Sequence, residues 1–289
     1  MTKYLTRMTP SRILIYALLS FVAIVTIYPF WHVIMHSLSD SQAALGGGVF
    51  LYPRQPSLLG YRLLFASGRV FVAYGNTIFV TGVGTLLNLM MTTLAAWPLS
   101  MRRLRGRRAV ALLIYATMLF QGGIIPTYLV VNRVGLLDNR WALILPVLIN
   151  PFNMFVMRNF FYSVPDSLEE SARIDGAGPL RTLIAIIVPV STPVIAALAM
   201  FYGIYHWNAY IHAVLYISDA GKQVLQVYLR SMIMVSGVGQ LAEFDATAGL
   251  TEESVKTATI GAAVIPVLFI YPWLQRYYVK GLLVGSVKG

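Results

Sequence analysis

Side chains able to do chemistry are scarce in this sequence, and they are bunched. Asp166, Glu169, Glu170 and Asp175, four of the eleven acids, fall within ten positions in the stretch PDSLEESARIDGAG, between two strongly apolar runs. The chain has no cysteine, which excludes disulfides and thiol chemistry. His32 and His36 stand four apart and share a helix face, His206 and His212 stand six apart, and neither pair has a third ligand nearby. All four histidines read as interfacial rather than metal-binding. There is no phosphate-binding GxxxxGK[ST] loop, since Gly46-Gly47-Gly48 is followed by Val49 and Gly221-Lys222 by Gln223. No Gly-x-Ser-x-Gly elbow occurs either, which leaves a hydrolase the weakest reading. What the acidic cluster offers is recognition.

The stretch predicts a short helix over 167–175. Pro165 pushes Val164 out of helical geometry. Ser167 and Glu170 have capping-box spacing, and the acids gather at the N-terminal end, where the helix dipole favours them. Gly176 is placed as the left-handed residue that ends the helix. A helix of nine residues does not hold alone in water, where ~12–15 residues are already marginal. Its small and apolar side chains, Leu168, Ser171, Ala172, Ile174 and Ala177, suit close approach by a partner. From the residues alone, a docking helix and a solvated linker both stand.

The elements that position this cluster are membrane spans. The chain has 289 residues, 57% hydrophobic and 11% charged, with a mean hydropathy of +0.69; soluble domains carry roughly a quarter charged residues. Uncharged runs long enough for a spanning helix, which takes ~20 apolar residues, recur along it. Their continuous apolarity excludes the alternation of barrel strands. The expected architecture is an all-α membrane protein of six transmembrane helices forming a single domain over 1–289. The spans are expected at about 13–35, 72–97, 109–131, 141–161, 183–205 and 258–278, with Arg158 snorkelling in the fourth. No cleavable signal is expected, and the first helix stays. Fourteen of the 22 Lys and Arg residues fall in the shorter set of segments, 1–12, 101–109, 158–182 and 276–289, and positive-inside logic then places both termini and the loop 163–182 in the cytoplasm. The net charge of +11, concentrated in runs such as RRLRGRR (102–108), is a topology signal and not a nucleic-acid surface. The extracytoplasmic segment 207–257 contains SMIMVSGVGQLA (231–242), apolar but too short to span.

Within the spans there is no Asp, Glu or Lys, which speaks against ion-coupled carriers, and no inverted repeat is visible. Energy must then come from outside the chain, although a self-contained six-helix secondary transporter is the alternative. Asn76, Asn88, Gln121, Asn150, Asn153 and Asn208 either line a wet translocation path or hold helices together. Gly82, Gly84, Gly122 and Gly123 read as helix-packing contacts. Pro189 and Pro193 bend the fifth span, as a hinge or as a static kink.

The loop and the span after it resemble a known family motif: Glu-Ala-Ala, three residues, Gly, nine residues, Ile, one residue, Leu-Pro. Here it reads Glu170-Ser171-Ala172, Gly176, Ile186 and Val188-Pro189, every spacing kept, with Ser171 for Ala and Val188 for Leu. The chain thereby resembles the permease subunits of ATP-binding-cassette importers. The stretches FQGGIIPTYLVV (120–131), GLLDNRWALILP (135–146), ARIDGAG (172–178), HWN (206–208) and the tail YPWLQRYYVKGLLVGSVKG resemble carbohydrate importers of the maltose-permease-like, oligosaccharide subgroup. That subgroup includes carriers of acidic-polysaccharide fragments such as alginate or other uronates. The resemblance implies the type I importer permease fold in the bacterial cytoplasmic membrane and a non-catalytic subunit without a cofactor of its own. ATP and Mg would be bound by a partner. It further implies two cytoplasmic ATPase subunits, a second homologous permease, an extracytoplasmic solute-binding protein and an oligosaccharide substrate. The loop would be the coupling helix, with Glu169, Glu170, Ser171, Ala172, Asp175, Gly176 and Ala177 seating in the ATPase.

Overall fold

Long uncharged runs become long helices only where no helix breaker interrupts them. The computed structural model describes residues 10–66, 68–236, 253–266 and 268. Among these the structure is helical throughout, with one isolated antiparallel bridge, Ser39 to Pro56. The helices are α1 (Pro10–Ser37), α2 (Ser41–Ala44), α3 (Leu59–Ala66), α4 (Arg69–Ser100), α5 (Arg107–Leu119), α6 (Ile124–Arg133), α7 (Pro151–Ser163), α8 (Asp166–Ile174), α9 (Pro179–Thr182), α10 (Val188–Val190), α11 (Thr192–Trp207), α12 (Ile211–Tyr216) and α13 (Leu225–Ser236). Residues 253–266 are helical as well.

Among the described residues only α1 and α4 are singly long and apolar enough to cross a membrane; three bent pairs bring the number to five if each pair is one span. Each bend falls where backbone chemistry demands it. The expected third span breaks by 112° between α5 and α6, where Gly122-Gly123 interrupts the run and Gly123 takes a left-handed φ of 83°. These two glycines therefore make a turn and not the helix contact expected of them. The fourth span bends by 50°, between the 3-10 turns of 140–147 and α7, which starts on Pro151 capped by Asn150. The fifth bends by 83° between Pro179–Val190 and α11. The sixth expected span begins in the helical residues 253–266, and nearly all of its remainder lies outside the described residues. Within 231–242, α13 covers the part up to Ser236, and 237–242 lie outside them.

The chain forms two compact units. In the unit made of Met1–Ser67 and Leu229–Ile265, α1 is exposed along its length except at its end, where His36 and Ser37 are buried. There His36 Nδ1 meets Thr257 Oγ1 at 3.1 Å and Ser37 Oγ meets Tyr61 Oη at 2.8 Å. A Cβ at Gly261 would overlap the Tyr61 hydroxyl, so glycine lets α3 close on the helix of 253–266.

In the unit that includes Gly68–Tyr228, α4 is the axis. One apolar cluster surrounds its C-terminal part, with Trp97, Met154, Met157, Phe161, Ile187 and Leu198. Another surrounds its N-terminal part, with Val80, Leu143, Ile144, Tyr216 and Val224. Between them runs a polar seam facing α11. His206 Nε2 lies 2.6 Å from Asn88 Oδ1, and Thr92 Oγ1 lies 2.7 Å from Tyr202 Oη. A Cβ at Gly84 would come within 2.6 Å of His206 Nε2, so this glycine is the packing contact expected of it. Gly82 has no atom within 4 Å of its Cβ position and is not.

Candidate functional site

The predicted short helix is present as α8, one residue earlier than its spacing suggested. Its start carries no side-chain cap, so the Ser167–Glu170 capping box does not form. Glu170, the expected partner in that box, is exposed, and its neighbour Glu169 pairs with two guanidinium groups. The end follows expectation. Gly176 is left-handed at φ 74°. The Gly176 N–H donates to the Arg173 carbonyl at 3.0 Å and the Ala177 N–H to the Ala172 carbonyl at 2.8 Å, the paired bonds of a Schellman ending.

The two faces of α8 differ. Ala172, 3% exposed, is its one buried residue. Glu169, on the same face, is half-buried and accepts Arg103 Nη2 at 2.7 Å and Arg173 Nη2 at 2.6 Å on one oxygen, Oε1. Partly exposed pairs of this kind stabilise by ~1 kcal/mol or less, so they orient the helix more than they hold the fold. Ser167, Glu170, Ser171 and Asp175 point outward, and Ile174 stands 87% exposed. Of the residues expected to seat in a partner, Ala172 is instead the inward anchor of the helix, because the 169–172–176 spacing turns it toward its own chain. Ile174 is the exposed apolar knob.

Beneath α8 a cavity of about 250 Å³ separates it from the end of α4; Trp97, Ser100, Arg103, Tyr162, Glu169 and Arg173 help line it. The end of α4 is tied to α7 by Arg158, whose Nε donates to the Leu99 carbonyl at 2.9 Å and whose Nη2 donates to Tyr162 Oη at 2.9 Å. Arg107 Nη1 reaches the same hydroxyl at 3.0 Å. Arg158 thus serves an orphan carbonyl of the last helical turn, where cations are favoured.

Beyond α8 the chain makes a π-helical turn at Leu183–Ile187, then α10 and the 83° bend. Pro193 has no N–H for the Pro189 carbonyl, and the Thr192 hydroxyl takes that carbonyl at 2.6 Å. Pro189 and Pro193 therefore do flank a bend, and its free backbone group is compensated locally.

The polar residues of the spans fall in different places. Asn76 Nδ2 donates to the Gly221 and Gln223 carbonyls at 3.0 Å each, while its Oδ1 accepts Arg140 at 3.2 Å. Asn88 Nδ2 donates to the Val147 and Leu148 carbonyls at 2.6 and 2.9 Å. Both amides are taken up within the chain and fasten segments together. Asn150 caps α7, accepting the Asn153 N–H at 3.1 Å, Asn153 is buried, and Asn208 donates to the Ile204 carbonyl at 2.9 Å at the end of α11. Gln121 stands exposed in the α5–α6 link. His206, read as interfacial, is 1% exposed and part of the α4–α11 seam. Arg103, Arg158, Tyr162 and Tyr202 were not legible as site residues. Apart from the Arg158–Tyr162 pair, four residues apart, the partners that define them lie 52 to 110 residues away in sequence, and only the basic run at 102–108 hinted at the first.

Among the described residues the chain is helical and presents a short, partly anchored surface helix. The comparisons give its family. Residues 4–284 match the family model "Binding-protein-dependent transport system inner membrane component", and the chain belongs to that family of ABC importer permeases. It is 42% identical over 278 residues, 96% of this chain and 97% of the relative, to the polygalacturonan/rhamnogalacturonan transport system permease protein YtcP of Bacillus subtilis (strain 168). It is 42% identical over 275 residues, 93% of this chain and 91% of the relative, to protein LplC of the same organism. Among solved structures it superposes at a TM-score of 0.87 and 33% identity, over 96% of this chain and all of the other, on a chain of a bacterial ABC transporter involved in the import of the acidic polysaccharide alginate. The fold is thus that of a type I ABC importer permease, the subunit is non-catalytic, and its family works with an ATPase and a binding protein.

Proposed function

We propose that the chain is the membrane-spanning subunit of an ATP-driven importer that moves a uronic-acid-containing oligosaccharide across the bacterial cytoplasmic membrane. The outward knob and acids of α8, on a helix too short to stand unsupported, are the observation that carries the coupling role: this surface seats in a separate ATPase. The substrate class rests on the acidic polysaccharides named for two similar proteins. In this reading both termini and the loop 163–182 are cytoplasmic, and a second homologous permease completes the path. Two ATPase copies hold the ATP and Mg, and a solute-binding protein delivers the sugar to the outer face. Closure of the ATPase moves α8, and the Pro189–Pro193 bend lets α11 follow. Of the path candidates, Gln121 is exposed, and its side chain would be available to a sugar.

The cysteine-free sequence makes the test direct. Ile174→Cys is labelled with a membrane-impermeant thiol reagent in right-side-out and inside-out vesicles, with and without the cognate ATPase. Labelling from the cytoplasmic face alone, blocked by the ATPase, is expected. Labelling that ignores the ATPase would end the coupling assignment, and labelling from outside would reverse the topology.

A further inference from the structure

Two adjacent glutamates lie midway along α8, and the structure treats them differently. Glu170 is exposed at the rim of the cavity, while Glu169 is half-buried and holds Arg103 and Arg173 on a single carboxylate oxygen. Arg173 is four residues along the same helix, so that pair ties α8 to itself. Arg103 belongs to the link that follows α4, three residues past the helix's last residue, Ser100. The Arg103–Glu169 pair therefore joins α8 to α4 across 66 residues of sequence.

The segments that flank α8 reach α4 as well: α7, which ends at Ser163, packs on it, and Leu183 and Ile187 share a core with Trp97 and Leu99. From α8 itself the polar link to the end of α4 is this pair. Ala172 is the one buried residue of α8, and the cavity of about 250 Å³ occupies the space where apolar packing would otherwise bridge the helix to the end of α4. On the far side of this gap the structure is firm. Leu99 is held by Arg158, Trp97 packs edge-on to Phe161 at 5.8 Å, and α4 lies against both α7 and α11. A displacement of α8 can reach α11 along the backbone through the bend at 188–193, and α4 through α7. The polar bridge adds a direct route from α8 to the end of α4.

We infer that Glu169 is a positioning residue that transmits movement of the coupling helix to α4 through Arg103, leaving Glu170 to face the ATPase. The inference rests on the coupling role proposed for α8. It assigns the two glutamates different tasks: loss of Glu169 leaves the ATPase docked and hydrolysing but disconnects part of the transmembrane machinery from it. Glu169→Gln keeps the size of the side chain and removes the charge that draws Arg103.

The measurement is the number of ATP molecules hydrolysed per sugar imported, in proteoliposomes holding the full complex and its binding protein. The set is wild type, Glu169→Gln, Arg103→Gln and the double variant, with copurification of the ATPase scored for each. Each single variant should raise the ratio by at least about threefold with the ATPase still bound, and the double should match the singles, as coupled partners do. Single variants with an unchanged ratio, or a double whose effect is the product of the two, would overturn the inference. So would loss of the ATPase from Glu169→Gln, which makes Glu169 a docking contact. Gly176→Asp, run alongside, separates the two readings. If it transports normally, the coupling role of α8 falls and the strut with it. If it fails while Glu169→Gln behaves as wild type, only the strut falls.

Discussion

Gly84 shows how much can depend on one missing side chain. Its α-carbon faces the His206 ring, and the same imidazole meets Asn88, whose amide holds the Val147 and Leu148 carbonyls at the break in the fourth span. Three segments thus converge on one position without a Cβ. Gly84→Ala would gain a little helix propensity yet place a methyl carbon where the ring now lies. Overpacking of this kind costs about 1–3 kcal/mol, and rupture of the Asn88 contact would leave buried polar groups unpaired at ~1–3 kcal/mol more. Thermal unfolding of the purified subunit should show a lower midpoint for Gly84→Ala, while Gly82→Ala, facing open space, should leave it unchanged or slightly raised by the propensity gain alone. The sequence told half of this. Glycines inside an apolar helix signalled close approach, but nothing local separates Gly84, which touches a neighbour, from Gly82, which does not. His206 was misplaced for a related reason: a histidine near the end of an apolar run looks interfacial until its partner, 118 residues away, is known.

At the scale of elements, the sequence was most legible where local chemistry decides. The extent of α8 and its glycine ending followed from residues within one turn of each other. The long spans were visible as hydropathy, but of their breaks only that of the fifth span was expected, from its two prolines, because an apolar run carries no charge to mark a bend. The markers were present nonetheless: Gly122-Gly123, Pro146 with Pro151, and Pro189 with Pro193 each sit at or beside an observed break. The last pair gives a test. Pro193→Ala restores an N–H that can take the Pro189 carbonyl from the Thr192 hydroxyl, and a helix interior favours alanine over proline by roughly 3 kcal/mol. The 83° bend should open, lengthening the distance between spin labels at Ile184 and Phe201, and sugar uptake should slow. An unchanged distance would mean that the packing of Ile187, Val194 and Leu198 in the core, rather than the prolines, sets the bend.

For the whole molecule, the substrate is the property least written in one chain, since in the proposed assembly the path is shared with a second permease. The proposal of an acidic sugar makes a definite demand on the assembled importer. Uptake of a labelled galacturonate oligomer should be competed by uronic-acid oligomers and not by neutral glucose oligomers of equal length. Equal competition by both would remove acidity from the recognition. The construction of α8 carries a different consequence. What the helix needs for its own placement, Glu169, Ala172 and Gly176, lies on one side or at its end, and what it displays, Ser167, Glu170, Ser171 and Ile174, lies on the other. The displayed set can diverge without disturbing the fold beneath it. On the docking role proposed for α8, choice of motor is separable from the transport pathway, since a change of ATPase would call for new residues on one exposed helical face and none beneath it.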